Sequence, residues 1–181
     1  ISLVEDMKSM FSNSFLLKSL DISSFDTSLV TDMRAMFQHC DSLESLDISS
    51  FNTSLVVDMG FMFSGCYLLK SLNLSNFNTS LVMHMEDMFQ ICTSLQSLVF
   101  NFNASSVINM HRMFYGCQSL QSMDLSNFIT SYAIYMDEMF RYCNLLKSLN
   151  LSKFNTSSVV DMRSMFYGCY SLQSLNLSNF N

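Results

Sequence analysis

Proline and tryptophan are absent from these 181 residues, and glycine occurs only four times. Charge is scarce too: 13% of residues are charged against 49% hydrophobic, a balance that excludes intrinsic disorder. Basic residues are outnumbered 15 to 9, giving a formal net charge of −6. That argues against DNA, RNA or anionic membranes as partners, all of which call for a basic face. No apolar run approaches the roughly 20 residues that span a bilayer, so this segment holds no membrane span. No basic segment precedes an apolar stretch in the manner of a signal peptide. Residue 1 is Ile, so the chain is expected to be processed or part of a longer one. What is plentiful is 16 Met and 17 Phe, a bias that suggests one pattern copied several times.

The pattern is found at once. Met-Phe recurs with its Phe at Phe11, Phe37, Phe63, Phe89, Phe114, Phe140 and Phe166, in steps of 26, 26, 26, 25, 26 and 26 residues. A further Met lies three before the first at Met7, Met33, Met59, Met85, Met110, Met136 and Met162. Cysteine follows the Phe by three at Cys40, Cys66, Cys92, Cys117, Cys143 and Cys169, with Ser14 in the first copy. The single deletion falls in the fourth junction, where Leu98-Val-Phe-Asn-Phe102 replaces the usual Leu-x-Leu-Ser-x-Phe.

Each copy has two halves. Leu43-Glu-Ser-Leu46-Asp-Ile48 reads L-x-x-L-x-L, the strand signature of leucine-rich repeats. Alternation puts Leu46 and Ile48 inside and Ser45, Asp47 and Ser49 outside. The second half changes period: Val56, Met59, Met62, Phe63 and Cys66 follow helical spacing, which predicts a short helix or 3₁₀ segment with its stripe inward. Asp32, Asp58 and Asp161 then sit where a helix N-terminus favours an acid. The expected fold is α/β: a right-handed leucine-rich-repeat-like solenoid of seven coils, 1–181 forming one repeat domain. A parallel sheet lies on one face and the short helical segments on the other. One coil cannot bury its apolar face, but stacked coils can. Asn181 shares the phase of Asn155 and Ile1 that of Thr27, so seven whole periods end without an atypical cap. The expectation is a window of a longer array, or a unit that self-associates through its ends.

The M-F-x-x-C motif, with L-x-S-L-x-L-S-x-F-x-T-S, resembles the BspA-like leucine-rich-repeat surface proteins. More narrowly it is similar to their Met-Phe branch with repeats of about 26 residues. The likeness covers essentially the whole chain. It implies a secreted or surface-anchored array, extracellular in location, linked in some members to adhesion to host proteins or neighbouring cells. It brings no catalytic residues.

Six cysteines in a possible extracellular protein invite disulfides. Their common phase instead makes each a core thiol beneath the next coil. A row does not converge as zinc ligands must, and the Met pairs read as filler of an irregular interior, so no metal or cofactor is expected. His39, His84 and His111 fall at different phases and read as ordinary surface residues. No nucleophile, oriented base and oxyanion donor converge, so the chain is not expected to be an enzyme.

The outward strand face is the candidate binding face. Ser19, Ser45, Ser71, Ser97, Ser122, Ser148 and Ser174 form one column; Asp21, Asp47, Asn73, Val99, Asp124, Asn150 and Asn176 form the next. A variable column beside them, Lys18, Glu44, Lys70, Gln96, Gln121, Lys147 and Gln173, is the expected carrier of specificity for a protein or glycan. Alternatives are a structural spacer or head-to-tail filament and, more remotely, ice binding through the row Thr27, Thr53, Thr79, Ala104, Thr130 and Thr156. Seven Asn-x-Ser/Thr sequons, among them Asn52, Asn78 and Asn155, arise as by-products of the repeat.

Overall fold

Parallel backbone bridges link Asp6 to Asp32, Asp32 to Asp58, Asp58 to His84, His84 to Asn109, Asn109 to Tyr135 and Tyr135 to Asp161. Each step is one sequence repeat, so the chain is a solenoid in which like residues stack on like. The computed structural model describes residues 3–180; the phase-matched Ile1 and Asn181 lie outside the described residues.

Stacking explains the composition. Phe37, Phe63, Phe89, Phe114 and Phe140 are wholly buried, and their rings pile up along the axis. Centroids are 5.5–5.6 Å apart from Phe11 through Phe140, with interplanar angles of 4–8°. Such offset stacks add about 0.5–1.5 kcal/mol per pair to the burial itself. Met33, Met59, Met85, Met110 and Met136 line the same core, as do Met36, Met62, Met88, Met113 and Met139. Only the outer coils expose this row, at Met10 and Met162.

The sheet is shorter than the L-x-x-L-x-L run predicts. Strand β1 (Ser71–Leu74) pairs in parallel with β2 (Ser97–Phe100), and β3 (Ser148–Asn150) with β4 (Ser174–Asn176). Two two-stranded sheets thus replace one continuous sheet among the described residues. One edge of the gap coincides with the deletion in the sequence. After Phe100 the deletion leaves one residue where other repeats have two, and Phe100 packs 4.8 Å from Phe102 and 6.3 Å from Phe128. No backbone hydrogen bond joins 96–102 to 121–125 among the described residues, and a cleft of about 220 Å³ opens there beside Phe100, Phe102 and Phe128.

The predicted helical segments do not form: among the described residues no helix occurs, and the Met-x-x-Met-Phe stretch is a run of turns. Residues 33–40 show why, because every N–H there has another partner. Met33, Ala35, Phe37 and His39 donate to the carbonyls of Asp58, Gly60, Met62 and Ser64 in the next coil. Met36, Gln38 and Cys40 donate three residues back, closing β-turns. Arg34 N–H donates to the Asp32 carboxylate. A helix over 33–40 would require the N–H groups of Phe37, Gln38, His39 and Cys40 for its own i−4 carbonyls. The apolar spacing of about three residues is that of consecutive turns, which presents the same inward set.

The turns need left-handed backbone twice per coil, as at Ala35 (φ 55°) and His39 (φ 55°). These are third residues of turns, the place where a type II turn requires positive φ. Gly65, Gly116 and Gly168 fill the second position in alternate coils, with φ from 71° to 80°. The intervening coils carry His39, Ile91 and Tyr142, whose side chains lie over the neighbouring glycine. A Cβ on Gly65 would stand 2.4 Å from His39 Nδ1. Bulky and absent side chains therefore alternate because the coils are too close for both to be large.

Two polar rows tie coils together from inside. Thr53 Oγ1 accepts the N–H of Asn78 at 2.8 Å and donates to its carbonyl at 3.0 Å; Thr27 and Thr130 do the same to Asn52 and Asn155. These threonines are 1–2% exposed, so the row presents no flat hydroxyl face and offers ice nothing to match. The six cysteines are free, and each Sγ–H donates to a Phe carbonyl 28 or 29 residues earlier, as Cys66 does to Phe37. Burial pushes the Cys92 thiol up to about 12.

Candidate functional site

On the strand side, all twelve residues of the expected binding face are exposed: Lys18, Asp21, Glu44, Asp47, Lys70, Asn73, Gln96, Gln121, Asp124, Lys147, Asn150 and Gln173. The two columns nevertheless differ in what they can offer. Asp21, Asp47, Asn73, Asp124 and Asn150 each accept the N–H two residues on, from Ser23, Ser49, Ser75, Ser126 and Ser152. They are Asx-turn residues that end the strand. The Ser23 hydroxyl and N–H hold the Asp21 carboxyl below its ordinary range, and the Ser126 pair does so for Asp124. The variable column has no such duty. Its members pair sideways: Lys70 Nζ lies 3.8 Å from Glu44, and Lys147 donates to Gln121 at 3.0 Å. Contact with a partner can replace such exposed pairs at little cost.

The opposite, turn-bearing side carries most of the ion pairs, which the sequence reading missed. At the phase of Gly60 stand Lys8, Arg34, Glu86, His111, Asp137 and Arg163, one coil apart. Arg34 pairs with Asp58 at 3.2 Å and reaches over Gly60 to Glu86, two coils away. A Cβ at Gly60 would meet that guanidinium at 2.7 Å. His111 Nδ1 is 2.6 Å from the Asp137 carboxylate, and His84 is 3.8 Å from Glu86. These histidines are members of a charged ladder and not the isolated surface residues their phases suggested; adjacent phases lie side by side on one wall. Glu138 binds both Arg112 (2.8 Å) and Arg141 (3.2 Å), and Arg141 lies between the rings of Tyr142 and Tyr167. The Arg112 hydrogen bond is the main reason the Glu138 carboxyl sits below its usual range. Asp87, 4% exposed with Oδ1 unpartnered, is pushed up to about 6, chiefly by burial.

The Asp residues placed at helix starts serve otherwise. Asp32, Asp58 and Asp161 accept the N–H two residues on, from Arg34, Gly60 and Arg163, and so open the turn run. Among the described residues no group of three or more His, Cys, Asp or Glu is placed to hold a metal ion, and no helix is long and apolar enough to cross a membrane.

A stack of short repeats whose surfaces are ladders of like residues defines a solenoid repeat protein. The chain belongs to the family described as "Mycoplasma protein of unknown function, DUF285", which matches residues 1–73 and 62–180. No curated protein matches the chain. Among the solved structures similar to it are two. One is the TLR13–ssRNA13 complex, at 22% identity and TM-score 0.48, over 94% of this chain and 23% of that one. The other is a leucine-rich repeat protein from Bacteroides ovatus, at 19% identity and TM-score 0.42, over 94% and 40%.

Proposed function

We propose that this chain is a non-catalytic interaction module of the BspA-like kind, displayed outside the cell or on its surface, that recognises a protein or glycan through its strand face. One observation carries the reading. The variable column Lys18, Glu44, Lys70, Gln96, Gln121, Lys147 and Gln173 is exposed at every coil and free of backbone duties, whereas the adjoining Asp/Asn column is committed to turns. Repeat scaffolds use such extended faces, varying side chains without touching the core. Protein and glycan arrays probed with the chain and with a Lys18→Ala/Lys70→Ala/Lys147→Ala variant test it. Loss of signal in the variant is expected; undiminished binding overturns the reading.

A further inference from the structure

We propose that the flank between the threonine row and the Met-Phe turns is a docking surface for a cationic, amphipathic segment of a partner protein. Leu29, Leu55, Val57, Leu81, Met83 and Tyr132 form its apolar stripe, and the adjoining carboxylates form its rim.

The stripe is built by alternation. Val30, Val56 and Val82 are wholly buried, so the residues on either side of each point outward. Backbone hydrogen bonds hold one of its columns in register: Val57 N–H donates to Thr31, Met83 to Val57, Ile108 to Met83 and Ile134 to Ile108, at 2.8–2.9 Å. Exposures are 41% for Leu29 and Leu55, 49% for Leu81, 37% for Val57 and Met83, and 68% for Tyr132. One exposed leucine is ordinary. Six large apolar side chains in two adjoining columns over four coil steps, about 19 Å at the usual strand spacing and interrupted only at Thr31 and Ser106, are not. The patch is on the order of several hundred Å², a size that on monomers is commonly functional. A standard interface takes about 800 Å² from each partner. The stripe therefore supplies the apolar centre of such a contact, and its polar rim must supply the rest.

The rim selects the occupant. The column next to the stripe is Asp6, Asp32, Asp58, His84, Asn109, Tyr135 and Asp161, without a Lys or Arg. Adding the Gly60 phase brings the two columns to six carboxylates against three Lys or Arg side chains, with Glu5 a seventh acid at the head of the stripe. A second copy docking through the same flank would set acidic rim against acidic rim. An anionic bilayer or a nucleic acid is repelled by the same sign. A segment with a row of Leu- or Ile-like side chains beside Lys or Arg meets both parts, and the exposed Tyr132 ring offers its face to a cation. The stripe shares no residue with the strand-face column, so the two surfaces fail or succeed separately.

The probe is a 12-residue peptide of alternating Leu and Lys, with a Leu/Glu peptide of equal length as control, each titrated against the full chain by fluorescence anisotropy. The Leu/Lys peptide should bind and the Leu/Glu peptide should not. Leu55→Ser/Leu81→Ser should weaken binding roughly tenfold or more, as loss of interface anchors does. Lys18→Ala/Lys70→Ala should leave it unchanged. Asp6→Asn/Asp32→Asn keeps the turn-closing acceptor, as Asn109 does naturally, and removes only charge. It should weaken binding and flatten its salt dependence, and it serves should the serine variant fail to fold. Equal binding of both peptides, or undiminished binding by the stripe or rim variants, overturns the proposal.

Discussion

Replacing Thr53 by Val keeps the volume and removes one hydroxyl. In the fold that hydroxyl is 1% exposed and satisfies both backbone groups of Asn78 in the next coil, accepting at 2.8 Å and donating at 3.0 Å. The methyl that replaces it leaves the part-buried N–H and carbonyl of Asn78 without those partners. A buried polar group left alone costs about 1–3 kcal/mol and a part-buried one less, and the gain from burying a methyl offsets part of the pair, so about 1–3 kcal/mol of destabilisation is expected. For a chain of this size that is a fall in Tm of about 3–10 °C. Equilibrium urea denaturation should show a lower midpoint at unchanged slope, since the surface exposed on unfolding does not change. Thr53→Ser restores both hydrogen bonds and should recover most of the loss, missing only the methyl burial. Hydrogen exchange should rise first at Asn78 and its neighbours across the coil interface. A Val variant within about 0.5 kcal/mol of the parent would refute the reasoning, because the hydroxyl row would then be decoration.

Gly65→Ala should destabilise by about 1–3 kcal/mol, since it places a Cβ against His39 at φ 76°; Gly65→Ala/His39→Ala should recover the steric part, as chemical denaturation will measure. Asp87 titrates at about 6 in the fold against 3.8 in an unfolded chain, so the folded state holds its proton more tightly. Stability should therefore fall as pH rises from about 4 through about 6, by about 1–2 kcal/mol, and Asp87→Asn should remove that slope in urea titrations across this range. Ellman's reagent should find at most Cys169 in the native protein and all six thiols after denaturation, because Cys40, Cys66, Cys92, Cys117 and Cys143 are buried; rapid native reaction of all six would contradict the packing.

The stacking was legible in the sequence because it depends only on phase. Phe63, Met59 and Cys66 recur at one spacing, and only a superposed arrangement buries them all. The conformation of that segment was not legible. A helix and a train of turns both bring residues three apart to one side, and the difference lies in where alternate N–H groups go. That depends on a neighbouring coil 26 residues away, which local periodicity cannot register. The threonines were likewise visible as a row, but whether a small polar residue after Phe51 faces water or the next backbone is decided by the turn at Thr53. The charged wall escaped because the Gly60 phase carries a different residue type in almost every coil, among them Glu86, His111 and Asp137, and because His84 pairs with it from the neighbouring phase; only the height of one coil, about 4.8 Å, makes neighbours of them.

The fourth junction shows how a single deletion shapes the binding surface. Between Phe100 and Phe102 one residue does the work of two, and β1–β2 ends there, with β3–β4 beginning a coil further on. A partner recognised by the variable column therefore meets two short sheets separated by a cleft beside Phe100, with Lys70 and Gln96 just before the strands of one and Lys147 and Gln173 just before those of the other. The backbone of the flank meets no such break, because Met83, Ile108 and Ile134 continue their hydrogen-bond ladder across the same junction at 2.9 Å; only the leucine column is interrupted there, by Ser106. Inserting Ser after Asn101 restores the common repeat length and should release the crowding of Phe100 against Phe102. If both surfaces act as argued, that insertion alters recognition by the strand face while leaving the Leu/Lys peptide affinity of the flank untouched; a change confined to the flank would mean the surfaces have been assigned the wrong way round.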